Sequence, residues 1–359
     1  MSKRIGVLTS GGDCPGLNAV LRGVVHAASR QGWEILGFLD GYEGLLSPVQ
    51  YRILDSSSTA GIMHLGGTIL GTTNKGRFVA KVRHGENATL DPAIIEEAKE
   101  TFEGLDLDSL ICIGGDGSLT TALQLQQAGI NTVGVPKTID NDIEATAITF
   151  GFDSAVACVV DALDRLHTTA KSHKRVMVLE VMGRYAGWIA LHGGLAGGAD
   201  IILLPEFPFD LNIICKIIKE REAKGAFNTM VVCAEGACPI DGGFTTKQTN
   251  RTGETRLGGV GELVAEAIGD RTGKDTRAVV LGHLQRGGNP TALDRILGTR
   301  FGVEAIELIM QGRYGHMVSY QNYRVDAVRM EDAVSHLKQV QQDTQLVDTC
   351  KQVGISFGT

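Results

Sequence analysis

Aromatic side chains make up only 5% of the 359 residues, and no apolar stretch approaches the length of a spanning helix. No membrane-spanning segment is expected. The opening, MSKRIGVLTSGG, runs from charged residues straight into an apolar strand pattern and a glycine turn, without an apolar leader, so a cytoplasmic location is expected. Positive charge is also short: 34 Lys and Arg against 41 Asp and Glu leave a net charge of -7. That balance offers no footprint for nucleic acid, although a local cluster of arginines can still draw anionic small molecules. Seven cysteines, at 14, 112, 158, 215, 233, 238 and 350, fall mostly inside apolar runs and lack zinc spacing. They fit reduced, buried thiols rather than a disulfide set. Repeats, low-complexity tracts and Pro-rich linkers are missing, so composition marks no seam between domains.

Glycine is abundant, with 47 residues, about twice its ordinary share of roughly 7%. An excess of this kind marks backbone that approaches ligands. The apolar content of 43% is ordinary, and the length exceeds what one hydrophobic core usually serves, so two domains are expected. Apolar strand candidates at 5–10, 35–39, 110–114, 132–136, 176–182, 201–205, 230–235 and 278–282 alternate with helical patterns. Continuous apolar runs in a βαβ rhythm predict a doubly wound α/β protein with mainly parallel sheets. A long helix is expected over 154–173, with a seam just before it at 149–152, and the polar stretch from Arg324 reads as an appended helical tail on the outside.

In an open α/β sheet, ligands bind beyond the carboxyl ends of the strands, where several loops of this chain carry chemistry. The first, Thr9-Ser10-Gly11-Gly12-Asp13, bares amides to phosphate but lacks the Gly-Lys-Ser/Thr ending of a P-loop. The second, Gly114-Gly115-Asp116-Gly117-Ser118, adds glycine backbone and a lone carboxylate suited to phosphate oxygens and Mg2+. A similar run occurs in diacylglycerol and NAD kinases. The third, Lys137-Thr138-Ile139-Asp140-Asn141-Asp142, offers carboxylates and a hydroxyl able to activate an acceptor alcohol. Farther on, Met182-Gly183-Arg184 brings a guanidinium between glycine neighbours, and Arg277 and Arg286 bracket a strand with His283 nearby, in the manner of a phosphate clamp.

In their order and in the pattern Arg277, Gly282, His283, Gln285, Arg286, Gly287, Gly288, Asp294 and Arg295, these segments resemble the phosphofructokinase family up to about residue 325. The resemblance implies two α/β domains, 1–151 plus 285–334 binding nucleotide and 152–284 plus 335–359 binding sugar phosphate, with the active site in the cleft between them. It also implies a homotetramer that transfers the γ-phosphate of ATP to the C1 hydroxyl of fructose 6-phosphate. On matching positions, Asp140 is the implied general base, Thr138 a transition-state donor, and Asp116 the Mg2+-side carboxylate with Asp142 close by. Gly12 and Arg184 would meet the transferred phosphoryl group. Gly115, Gly117, Ser118, Lys137 and, from the segment 70–77, Asn74, Lys75 or Arg77 would face the nucleotide. Met182, Gly183, Glu235, His283 and Arg286 would hold the sugar phosphate, with Arg175 and Arg277 reaching in from a neighbouring subunit.

Donor markers are mixed. ATP users of the family usually have glycine at the positions of both Gly117 and Lys137, and pyrophosphate users tend to have Asp and Lys there. Gly117 leaves room for an α-phosphate and Lys137 can turn aside, which favours ATP over pyrophosphate. A catalytically silent sugar-phosphate sensor is disfavoured because Asp140, Thr138 and Asp116 are all present. An effector pocket is implied with an altered lining: Arg22 and Lys224 match, but His26, His167, Asp200, Ala226 and Asn228 depart from the usual residues.

Overall fold

Runs in which every residue is apolar can be buried on both faces, and here they form the inner strands of two sheets. The structure is a computed structural model that describes residues 3–73, 76–78, 89–242, 248–249, 255–256 and 258–359. Asn74 and Lys75, both expected at the nucleotide, lie outside the described residues. In chain order the elements begin with β1 (Arg4–Thr9), α1 (Leu17–Arg30), β2 (Glu34–Phe38), β3 (Tyr51–Leu54), α2 (Pro92–Gly104), β4 (Ser109–Gly114), α3 (Asp116–Gln127) and β5 (Thr132–Pro136). There follow α4 (Phe152–His173), β6 (Val176–Val181), α5 (Trp188–Ala196), β7 (Ile201–Leu203), α6 (Leu211–Ala223), β8 (Thr229–Ala234), and the short strands β9 (Gln248–Thr249) and β10 (Thr255–Arg256). The remainder is α7 (Val260–Thr272), β11 (Thr276–Val280), α8 (Ala292–Met310), β12 (His316–Gln321), β13 (Arg324–Arg329), α9 (Met330–Ala333) and α10 (Gln345–Gln352).

Two units result. The first comprises Met1–Ile139, Ile143–Ser154 and Arg286–Leu337; the second comprises Asp140–Asp142, Ala155–Gln285 and Lys338–Thr359. The sheet of the first unit has the order β13-β12-β5-β4-β1-β2-β3. Its inner pairs are parallel, while β3 and β13 close the two edges antiparallel. Strand order reverses between β1 and β4, so the loops after these two strands lie side by side at the carboxyl end. Pairing continues into those loops, with Ser10 N donating to Ile113 O at 2.9 Å. Leu8, Phe38, Leu110, Leu119 and Met317 form part of the core on this sheet. On α1 and α8, Gly302 permits a close approach: a Cβ there would stand 2.8 Å from Val24 N.

The sheet of the second unit is all parallel, in the order β11-β6-β8-β7. Val178, Leu203, Phe209, Ile214, Val231, Val264 and Ile268 fill its core. All seven cysteines are free thiols. The stretch from Arg324 corrects the expectation of a helical tail. Residues 324–329 form an edge strand paired with β12, and only short helices follow. The period-two alternation of Val325, Ala327 and the charged residues between them suits an edge, which needs one apolar face only. Near its end the chain pairs with β7, Ile202 N donating to Ser356 O at 2.9 Å. No described helix is long and apolar enough to cross a membrane.

Candidate active site

Three loops of the first unit assemble around the reversal in strand order. Gly11 is fixed on both sides, its amide donating to Thr73 O at 3.1 Å and its carbonyl accepting from Thr72 Oγ1 at 2.6 Å. The neighbouring Gly12 carbonyl accepts from Lys137 Nζ. The Lys137 ammonium and Ser118 Oγ each lie 3.4 Å from where a Cβ on Gly11 would be, so the turn and the start of α3 form one surface. Gly115 caps α3 and Asp116 is its first residue, which leaves the opening amides of the helix pointing outward. Asp116 is partly buried, no described residue donates to its carboxylate, and burial raises its pKa. A dication would reverse that shift, and Mg2+ bound with phosphates commonly uses one or two carboxylates, so Asp116 fits such an ion. Arg286 reaches the same turn: Nη1 donates to Asp13 O at 3.1 Å and would stand 2.8 Å from a Cβ on Gly12. Thr138 belongs to this unit, its carbonyl accepting from Thr149 Oγ1 at 2.8 Å. Arg77 is turned to carboxylates, 2.9 Å from Glu97 and 3.9 Å from Glu43.

Between Ile139 and Asp140 the chain passes into the second unit, where Asp140 is 5% exposed. There it acts electrostatically on Glu235, whose pKa is raised by burial first and by Asp140 and Glu180 in addition, against the pull of Arg184. Glu235 accepts the backbone N–H of Arg184 at 3.1 Å. Arg184 is left-handed at φ 48, and its side chain is exposed beside this carboxylate pair. Gly183 before it is required: its φ is 137, and a Cβ would come within 2.6 Å of Ala186 O. Met182 is tied to the Gly282 turn by Gln285, which accepts from Met182 N at 3.4 Å and donates to Gly282 O at 3.1 Å. Gln285 was visible in the sequence only as part of a pattern; its bridging role appears with the fold. His283 is exposed.

Arg175 and Arg277 stand apart from that cluster. They converge on Asp275, Arg277 Nη1 at 2.5 Å and Arg175 through Nε, and the Arg175 hydrogen bond holds the Asp275 carboxyl below its usual range. Arg175 precedes β6 and Arg277 is the second residue of β11, whereas Met182 to Arg184 and Gly282 to His283 follow the far ends of those strands. A strand of six residues separates its ends by roughly 20 Å. Among the residues of the implied effector pocket, His167 Nε2 hydrogen-bonds Gly197 O at 2.8 Å, and Asp200 pairs with Arg221 at 2.7 Å. In the first unit, burial and then Arg22 and Arg30 lower the His26 pKa.

Residues 4–309 match the phosphofructokinase family. The chain belongs to that family. It is 49% identical over 356 residues to the ATP-dependent 6-phosphofructokinase of Chloroflexus aggregans, covering 99% of this chain and 98% of the relative. Among solved phosphofructokinases, that of Pichia pastoris in the T-state superposes with a TM-score of 0.82 at 29% identity, covering 99% of this chain and 37% of the yeast chain. The pyrophosphate-dependent phosphofructokinase of Nitrosospira multiformis shares the fold, with a TM-score of 0.81 at 24% identity, over 99% of this chain and 92% of the other.

Proposed function

We propose that this phosphofructokinase transfers the γ-phosphate of ATP to the C1 hydroxyl of fructose 6-phosphate, giving fructose 1,6-bisphosphate and ADP in cytoplasmic glycolysis. The observation that carries the reading is the buried Asp140 carboxylate coupled to Glu235 beside Arg184, an acid-base group next to a cation. Asp140 accepts the C1 hydroxyl proton, Arg184 neutralises charge on the transferring phosphoryl group, and Thr138 donates a hydrogen bond to it. Gly12 and the opening amides of α3, with Gly115, Gly117 and Ser118, receive the donor phosphates. Asp116, with Asp142 as support, would hold Mg2+, which would supply neutralisation of the phosphate charge. Met182, Gly183, Glu235, His283 and Arg286 hold the sugar phosphate. Arg175 and Arg277 are set too far along their strands to join these residues in one chain, which supports sites completed by a neighbouring subunit in a homotetramer.

Lys137 bears on the donor. Its ammonium is engaged by the Gly12 carbonyl, which agrees with its turning aside for a nucleotide that Gly117 leaves room for. A second reading, pyrophosphate as donor, is favoured by the same ammonium standing where a phosphate on the Gly11-Gly12 turn would meet it. A coupled assay of fructose 1,6-bisphosphate formation separates them: kcat/KM is expected to be far higher with MgATP, and to fall for ATP in Gly117→Asp. Equal or better use of pyrophosphate by the unaltered enzyme would overturn the ATP assignment.

A further inference from the structure

The expected place of the C-terminal tail is the outside of the protein, yet a short segment of it touches both loops that carry the proposed chemistry of the second unit. Lys338 N donates to Asp142 O at 2.9 Å, and Lys338 Nζ donates to Asn141 Oδ1 at 3.1 Å. Its carbonyl accepts from Trp188 Nε1 at 2.7 Å, and its ammonium lies 5.8 Å from the centroid of that indole. The next residue, Gln339, donates from Nε2 to Tyr185 O at 3.0 Å. Val340 N and Gly187 N both donate to Glu206 Oε1, each at 2.9 Å, so one oxygen of a half-buried carboxylate clasps the tail to the start of α5. Three consecutive tail residues thus bind the segment after Asp140 and the segment after Arg184, the third of them through Glu206.

Both segments need such support. Asn141 has φ 52 and Arg184 has φ 48, left-handed conformations that an L side chain holds only when its surroundings impose them. Each neighbours a residue of the proposed reaction or is one. Asn141 follows Asp140 directly, and relaxation of its backbone would swing the Asp140 carboxylate. We propose that residues 338–340 form a strap that holds the Asp140 and Arg184 loops in their reactive geometry, with Lys338 as the positioning residue. The assignment of its effect to catalysis rests on the reaction proposed above; the mechanical coupling of the two loops does not.

The test is Lys338→Met, which keeps a long apolar stem against Trp188 and removes the ammonium. With MgATP and fructose 6-phosphate, kcat is expected to fall about tenfold while both KM values stay within about twofold, because a lost charge-assisted bond misplaces the base more than the substrates. Lys338→Arg should restore most of the loss. In an Asn141→Ala background the Lys338→Met change should cost less than it does in the parent, since one partner of the ammonium is already gone. Independently of any substrate, hydrogen exchange should rise about tenfold in peptides over both 139–143 and 183–188 of the folded Lys338→Met protein. Parental kcat, additive effects in the double variant, or faster exchange confined to the tail would each overturn the strap. If the unaltered enzyme fails to phosphorylate fructose 6-phosphate while the two peptides still respond together, the reaction assignment fails and the strap stands.

Discussion

Substituting Gly12 by alanine should damage function without damaging the fold, and the size of each effect follows from what surrounds the residue. Gly12 lies outside the left-handed region, so the backbone accepts alanine there. The added Cβ would meet Arg286 Nη1 at 2.8 Å and Cζ at 3.1 Å, and no other residue is among its three nearest atoms. Carbon contacts prefer about 3.5 to 4.0 Å, so the guanidinium must retreat by roughly 0.5 to 1 Å. It is the far end of a flexible side chain, and its retreat forfeits chiefly the bond to Asp13 O at 3.1 Å. The stability lost is then about 1 kcal/mol. Catalysis is less forgiving: a displacement of about 1 Å in a positioning group can cost on the order of 10²-fold.

Gly12→Ala is therefore expected to lower kcat/KM for fructose 6-phosphate about 30- to 100-fold, with a melting temperature close to that of the parent. Gly44→Ala supplies the contrast, because its Cβ would point into backbone, 2.8 Å from Gln50 O and 2.9 Å from Leu39 N, which cannot step aside. Steady-state kinetics on the coupled assay, alongside differential scanning calorimetry, measures both. If Arg286 transmits the damage, Gly12→Ala should add little in an Arg286→Ala background. Parental kcat/KM in Gly12→Ala, or a melting temperature lowered as far as in Gly44→Ala, would refute the reasoning.

Asp140→Ser should reduce kcat by roughly 10² to 10⁴-fold with little change in the KM for fructose 6-phosphate, since the lost carboxylate acts on a proton in flight; near-parental turnover would reassign the base. Mixing inactive Asp140→Ser subunits with inactive Arg277→Ala subunits should restore part of the activity if sites are completed by a neighbour, and no recovery after verified subunit exchange would place every site within one chain. Asp294 is fully buried, and burial pushes its carboxyl up to about 6 even though Ser154 N and Oγ donate to it at 2.9 and 2.6 Å. Protonation therefore favours the folded state: this group's contribution is complete below its unfolded pKa of about 3.9 and is lost as pH rises through about 6, by at most about 3 kcal/mol. The melting temperature of Asp294→Asn relative to the parent should accordingly drop as pH is lowered from 7 to about 4, and a difference independent of pH would refute it.

What could be read ahead of the fold divides according to how local each requirement is. The glycine turns after β1 and β4 are legible because each follows an apolar strand run and precedes a helical pattern. Asp116 and Asp140 are legible as candidates because each is a carboxylate placed shortly after an apolar strand, at the carboxyl end of the sheet. That Asp140 to Asp142 group with the second unit is not legible, since a three-residue excursion out of a longer segment leaves no mark on composition. The strap is hidden for a related reason: Lys338 N, Lys338 O and Val340 N act through backbone, which every residue shares, and the side chains that take part, those of Asn141, Trp188, Glu206, Lys338 and Gln339, are scattered along the sequence. Arg175 and Arg277 lie between these extremes. Chemistry marks them as candidate phosphate ligands, and strand geometry separates them from the loops at the other end of the sheet. Arg175 stands just before a six-residue strand and Met182 just after it, so a separation of roughly 20 Å follows from counting residues. Arg277, paired in register with Met177, inherits the same displacement. Two arginines drawn together by Asp275 thus stand at the opposite end of the sheet from Glu235 and Arg184, and the subunit-mixing experiment decides whether a neighbouring copy uses them.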